Sequence, residues 1–304
     1  MLLGFISLPT FASPPILMTD FLERGEHMLG GEYAHSRVDG EGRISTGDDV
    51  DTSSNQNEVA ATYGFGFTES QMLTLVIPYI FANMNKATIK SDDTDIKYKA
   101  SSEGLGDLSI EYRFLFRGTE TRRLAAWLGA TIPVGDDDTG ESEIVRNGSK
   151  TQSMKKGGAG SGFTNYEAGL SFSQTRGKST FFSSINYALN GSKTEEGEKQ
   201  EPGDAIELEV GVLQEIDVKS RIGGKLEYGY AREGKSGDDD ISSYSIYGVS
   251  LAYFYHVAEN FLFSPQLSYV KASERKTTNR TDGSTNKASV PKAIFLGVEL
   301  KKTF

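Results

Sequence analysis

The chain has 304 residues, 37% of them apolar and 24% charged, and no cysteine. A membrane-crossing helix needs roughly 17 to 25 successive apolar residues; the longest apolar stretch, Met72 to Ala82, is about half that and contains Pro78, so a helical membrane bundle is excluded. Absent cysteine excludes disulfide scaffolds and thiol chemistry, and the net charge of −10 argues against a general nucleic-acid binder.

Residues Met1 to Ala12 form an uncharged apolar run ending in Thr10-Phe11-Ala12, followed by Ser13-Pro14-Pro15. A short apolar core and a small residue at its end fit a secretory signal. Its basic start is missing, so residues 1–12 are expected to be a signal truncated at its N-terminus.

From there the chain repeats one pattern: stretches of about 11 to 14 residues alternate apolar with small or polar side chains, the period of a two-faced strand. Val59, Ala61, Tyr63, Phe65 and Phe67 share one face, opposite Ala60, Thr62, Gly64 and Gly66. Leu108, Ile110, Tyr112, Phe114 and Phe116 stand opposite Asp107, Ser109, Glu111 and Arg113. Twelve such strands are predicted, at 28–38, 57–67, 71–83, 105–117, 122–134, 163–173, 179–190, 204–216, 220–231, 243–256, 261–271 and 290–304. Their connectors alternate short and long along the whole chain, with no more than about five residues in the short ones.

A soluble sandwich has no reason to sort every second loop by length. A membrane barrel does, with short periplasmic turns at one rim and long outer loops at the other. Closure pairs every backbone N–H and C=O, which an open sheet in hydrocarbon cannot do. Aromatics support two interfaces: Phe67, Phe116, Phe172 and Phe304 near short turns, and Tyr79, Phe81, Tyr187 and Tyr269 near long loops. The expected fold is therefore all-β: a single 12-stranded antiparallel transmembrane β-barrel over residues 28–304, with short periplasmic turns and long extracellular loops. Residues 13–27 carry Ile16, Leu17, Met18, Phe21 and Leu22, apolar enough to enter the periplasmic mouth as a plug.

The ending Val298-Glu-Leu300-Lys-Lys-Thr-Phe304 resembles the assembly signal of bacterial outer-membrane barrels, carried by Val298, Leu300 and Phe304. That resemblance implies the barrel-assembly machinery as a partner and the Gram-negative outer membrane as the location. Three further stretches are Leu75-Val-Ile-Pro78-Tyr79, Gly104-Leu-Gly106-Asp107-Leu108, and Gly129-Ala-Thr-Ile-Pro133-Val-Gly135-Asp136 with Gly158-Ala-Gly160-Ser161-Gly162. They resemble the transporter family of the phenol meta-degradation pathway. This resemblance implies uptake of hydrophobic or aromatic compounds and carries over no substrate-contacting residue.

The glycines at 157–162 lack the spacing of a phosphate loop and precede a strand instead of a helix, so they read as a loop entering the sixth strand. His35-Ser36 is the one adjacent histidine–serine pair. Consecutive strand residues face opposite ways, so no hydrolytic dyad forms there and no enzyme activity is expected. Acidic runs at Asp48-Asp49, Asp92-Asp93, Asp136-Asp137-Asp138 and Asp238-Asp239-Asp240 lack calcium-loop spacing and read as solvated loop tips. No metal and no cofactor is expected.

The face opposite the apolar stripe is predicted to line the lumen: Asp107, Glu111, Arg113, Glu167, Glu207, Glu209, Arg221, Lys225, Glu227, Glu299 and Lys301. Arg221 and Lys225 lie on the strand beside Glu207 and Glu209, which allows cross-strand ion pairs. The expected function is passive diffusion of small solutes, possible substrates being hydrophobic or aromatic, with outer-membrane lipid and lipopolysaccharide as surroundings. The alternative is a non-conducting structural or surface-binding barrel whose lumen is sealed by those ion pairs.

Overall fold

The computed structural model describes residues 21–91, 94–119, 121–135, 141–146, 149–155, 159–195 and 198–304. The expected signal lies outside them, as do residues 13–20 of the expected N-terminal segment and the aspartates at 92–93 and 136–138. No helix among the described residues is long and apolar enough to cross a membrane.

The strands run in chain order β1 (His27–Arg43), β2 (Asp49–Thr68), β3 (Gln71–Ser91), β4 (Thr94–Leu105), β5 (Leu108–Gly118), β6 (Arg122–Ile132) and β7 (Glu141–Arg146). They continue as β8 (Ser149–Lys155), β9 (Asn165–Arg176), β10 (Ser179–Asn190), β11 (Lys193–Glu195), β12 (Glu198–Glu201), β13 (Ala205–Glu215) and β14 (Ser220–Ala231). The last are β15 (Gly234–Ser236), β16 (Asp239–Ile241), β17 (Tyr244–Ala258), β18 (Phe261–Ala272), β19 (Arg275–Asn279) and β20 (Thr285–Thr303).

The sheet is all-β and closes on itself, since β1 pairs antiparallel with both β2 and β20. At the seam the His27 N–H donates to the Phe304 carbonyl at 2.9 Å, and the Phe304 N–H returns to His27 at 3.0 Å. Both described ends of the barrel thus meet at the short-turn rim.

The expected strand number needs correction. The closed antiparallel barrel has 14 strands, not 12, with further strands outside the ring. Each predicted stretch overlaps a strand, but segments taken for long loops are themselves paired: β4 with β7, β7 with β8, β12 with β15, and β16 with β19. An apolar outward stripe could not reveal them. Beyond the hydrocarbon the outer face of a strand meets water, so on β4 Lys97 and Lys99 are exposed while Ile96 and Tyr98 pack on Ile44, Val50, Ala87 and Ile89.

Exposure within the barrel is inverted relative to a soluble sheet. Outward Leu128 and Leu226 are 63% and 60% exposed, whereas inward Ser250 and Lys225 are 2% and 3% exposed. Outward apolar side chains meeting hydrocarbon, with polar ones inside, are the pattern of a membrane barrel. Inside, the charged positions lie between two apolar patches. Toward the short-turn rim, Leu213, Ala252 and Phe254 pack with Phe182 and Leu262. Toward the long-hairpin end, Ile246, Val270, Ala272 and Ala293 pack with Val38, Tyr244 and Phe295.

At the short-turn rim Leu22 is buried with Met28 and Met72, and Phe21 packs on them. Gly64 and Gly66 make room for this segment. A Cβ on Gly66 would come within 2.1 Å of the Glu23 carbonyl oxygen, and one on Gly64 within 3.2 Å of Leu22 Cδ1. The Gly25 N–H donates to the Gly66 carbonyl, and the Gly66 N–H to the Glu26 carbonyl, at 2.8 and 3.0 Å.

Candidate functional site: a charged belt on the inner wall

The inner positions of β13, β14 and β17 come together through register. Glu209 lies opposite Glu227, Gly211 opposite Lys225, and Lys225 opposite Ser250. Strand periodicity keeps these side chains on one face, so two carboxylates meet with one ammonium beside them. Lys225 Nζ lies 2.6 Å from Glu209 Oε1 and 2.8 Å from Glu227 Oε1, with all three side chains under 10% exposed. Ser184 Oγ–H donates to Glu209 at 2.7 Å and Ser250 Oγ–H to Glu227 at 2.8 Å. Ser268 Oγ–H extends the chain to Ser250 at 2.8 Å. Each buried carboxylate therefore has a cation and a hydroxyl as partners, which offsets the cost of taking it out of water.

The expected pairing of Arg221 and Lys225 with Glu207 and Glu209 is realised for Lys225 with Glu209. Arg221 instead lies opposite Glu215 nearer the short-turn rim. Glu207 stands between Asn186 on β10 and Gly229 on β14. Asn186 Nδ2–H reaches Glu167 at 3.5 Å, so Glu167, Asn186 and Glu207 form a second polar row.

Two more acid–base pairs repeat a two-residue spacing on one strand face. Arg113 Nε–H donates to Glu111 on β5, and Lys301 Nζ lies 2.6 Å from Glu299 on β20. Period two places both members of each pair on the inner side.

Asp107 plays a different part from the other predicted residues. It sits at the bend between β4 and β5 and accepts hydrogen bonds from the Ser161 N–H at 2.7 Å, Ser161 Oγ at 2.5 Å and the Gly135 N–H at 3.3 Å. It ties the chain after β6 and the approach to β9 to the bend. Glycines permit this convergence: a Cβ on Gly135 would lie 2.6 Å from the Leu105 carbonyl oxygen, and one on Gly106 2.7 Å from Pro78 Cγ. The Gly106 N–H also donates to the Pro78 carbonyl at 2.8 Å.

The sequence reading missed Glu32 and Glu58. Glu32 is opposite Glu299 on β20, and Gln266 Nε2–H donates to it at 2.9 Å. Gln56 Nε2–H donates to Glu58 at 2.9 Å. The signal for Glu32 was present: it lies between Leu29, Tyr33 and the small residues Gly30, Gly31 and Ala34, on the face away from Tyr33. Trp127 was also missed. It is 3% exposed and its ring covers Gly169, where a Cβ would come within 2.0 Å of Trp127 Cζ2.

The remaining candidates are held apart. His35 Nδ1 is 2.9 Å from Asn57 Oδ1, on the face opposite Ser36. No cluster of three or more histidine, aspartate or glutamate side chains suited to a metal occurs among the described residues. Outside the membrane-spanning part, Arg280 Nε–H donates to Asp240 at 2.8 Å, and this guanidinium holds the Asp240 carboxyl below its usual range.

No family model and no curated protein matches the chain. Solved structures do. The COG4313 outer membrane channel from Pseudomonas putida F1 is similar with a TM-score of 0.60 at 14% identity, over 93% of this chain and 97% of that one. The transport unit of the autotransporter AIDA-I from Escherichia coli is similar with a TM-score of 0.56 at 13% identity, over 97% and 96% of the two chains. At these identities the likeness is one of fold: the chain has the architecture of bacterial outer-membrane β-barrels.

Proposed function

We propose that the chain is an outer-membrane channel through which small solutes, hydrophobic or aromatic compounds among them, diffuse down their gradients. The observation that carries this reading is the inner wall: a belt of charged side chains set between two apolar patches, inside a closed ring whose outer face is apolar. Apolar patches at both ends give a hydrophobic solute surfaces to rest on, and the belt sets the field it meets between them. The resemblance to the transporter family of the phenol meta-degradation pathway supports aromatic solutes. The similar fold of a protein described as an outer membrane channel supports the channel reading. In this reading residues 1–12 direct secretion, Val298, Leu300 and Phe304 serve barrel assembly, and residues 13–27 form a plug.

The buried triad of Lys225, Glu209 and Glu227 favours a second reading, a sealed structural barrel. Conductance of the refolded protein in planar bilayers separates the two, measured with and without residues 13–26, alongside phenol uptake into liposomes. Conductance with phenol uptake supports the channel. Silence in both forms with no phenol uptake overturns it in favour of the sealed barrel.

A further inference from the structure

We propose that the outward face of β18, β20 and β1, at the long-hairpin end, binds the phosphate of a phosphorylated glycolipid in the outer leaflet. Lys271 on β18 and Lys292 on β20 are register partners. Both are exposed, and each stands between buried neighbours: Val270 and Ala272 for the first, Pro291 and Ala293 for the second. Their side chains therefore leave the barrel on the same outer face. Like charges directly opposite each other on one face of a sheet are destabilising. Among the described residues neither lysine forms an ion pair.

The surrounding charges leave this site net positive. Arg37 on β1 lies opposite Ile294, and Asp39, to which its Nε–H donates at 2.9 Å, lies opposite Lys292. Lys271, Lys292 and Arg37 thus stand around Asp39, with Glu41 two residues further along β1 on the same face: three bases against two acids, on a chain whose net charge is −10. Height identifies the ligand. One step toward the membrane on the same face are Tyr269 and Ile294, register partners that are 41% and 47% exposed, and Tyr247 lies beside Lys271. Exposed tyrosines mark the interface, so the two ammonium groups stand at headgroup height, where an anion can bridge them. A phosphate monoester carries net negative charge and several acceptor oxygens; a zwitterionic lipid brings its own ammonium and neutralises neither lysine. This inference rests on the outer-leaflet placement in the proposed function and does not depend on conduction.

The test is native mass spectrometry of the folded protein, titrated with a bisphosphorylated glycolipid and with its dephosphorylated form. Folding of every variant is checked by heat-modifiable gel mobility. A lysine near an anionic surface contributes roughly 5-fold in affinity, so the double variant K271Q/K292Q should bind the phosphorylated lipid about 25-fold more weakly. Lys199→Gln, on β12 beyond the membrane, should bind as the wild type does. Removing the phosphates should weaken binding to the wild type but not to the double variant. Unchanged binding by the double variant, or equal binding of the dephosphorylated lipid by the wild type, overturns the proposal. Displacement by an equal concentration of inorganic phosphate overturns the lipid assignment. The double variant should conduct as the wild type does; a wild type that binds the lipid yet passes neither ions nor phenol counts against the channel reading alone.

Discussion

Lys225 Nζ lies 2.6 Å from Glu209 Oε1 across the β13–β14 ladder, and both side chains are buried on the inner wall. Removing the ammonium alone leaves Glu209 and Glu227 charged, adjacent and dry. Lys225→Met should therefore destabilise the folded barrel by about 3–5 kcal/mol, the usual cost of breaking a buried ion pair. Urea unfolding of the refolded protein in detergent measures this. The triple variant with Lys225→Met, Glu209→Gln and Glu227→Gln should recover most of the loss, because no unpaired charge then stays buried.

The inner belt is richer in acids than in bases, so cations should cross more readily than anions. Reversal potentials under a potassium chloride gradient test this. Glu32→Gln with Glu207→Gln should shift the reversal potential toward anion preference; an unchanged potential would place both carboxylates off the ion path.

Gly66 accommodates the segment carrying Leu22, and a Cβ there would meet the Glu23 carbonyl oxygen at 2.1 Å. Gly66→Ala should displace that segment and raise single-channel conductance in the same direction as deletion of residues 13–26. A variant that conducts like the wild type would show that the segment does not limit flow.

Trp127 is the single tryptophan of the chain, which makes the inner wall observable by fluorescence. Its ring occupies the space above Gly169, so Gly169→Ala forces it to move. The expected result is a shifted emission maximum and a loss of about 1–3 kcal/mol from overpacking. An unshifted spectrum would mean that the ring already lies elsewhere.

Arg280 lowers the carboxyl pKa of Asp240 between β16 and β19. A carboxyl depressed in the folded state stabilises above its unfolded pKa of about 3.9, and the contribution disappears as pH falls through the lower folded value. Hydrogen exchange of the β16–β19 amides should therefore accelerate as pH is lowered below about 4, after correction for intrinsic rates. Arg280→Gln should remove that dependence. Both groups are exposed, so the effect should be small and screened by salt.

Much of the barrel was legible from period two alone. Residues that alternate in hydropathy must face two different surroundings, so the outward stripe of Val59, Tyr63, Leu128 and Leu226 and the inward positions of Glu111, Glu209 and Lys225 follow from the order of side chains. The strand number did not follow. Strands such as β7, β12 and β16 lie where the outer face meets water, and no apolar outward stripe marks them there. The partners within the belt did not follow either. Whether Glu209 meets Lys225 or Arg221 depends on ladder register, which is set by closure of the whole ring, with β1 between β2 and β20.

Asp107 shows the same division. The sequence placed it on the polar face of a strand, whereas it lies at the bend between β4 and β5. Its three hydrogen bonds come from Ser161 and Gly135, which only the bend at Gly106 and the close approach of glycine backbones bring to it. Local order fixes which way a side chain points, because successive strand residues must face opposite sides. What it meets there is decided by strands distant in sequence, whose register depends on closing the ring.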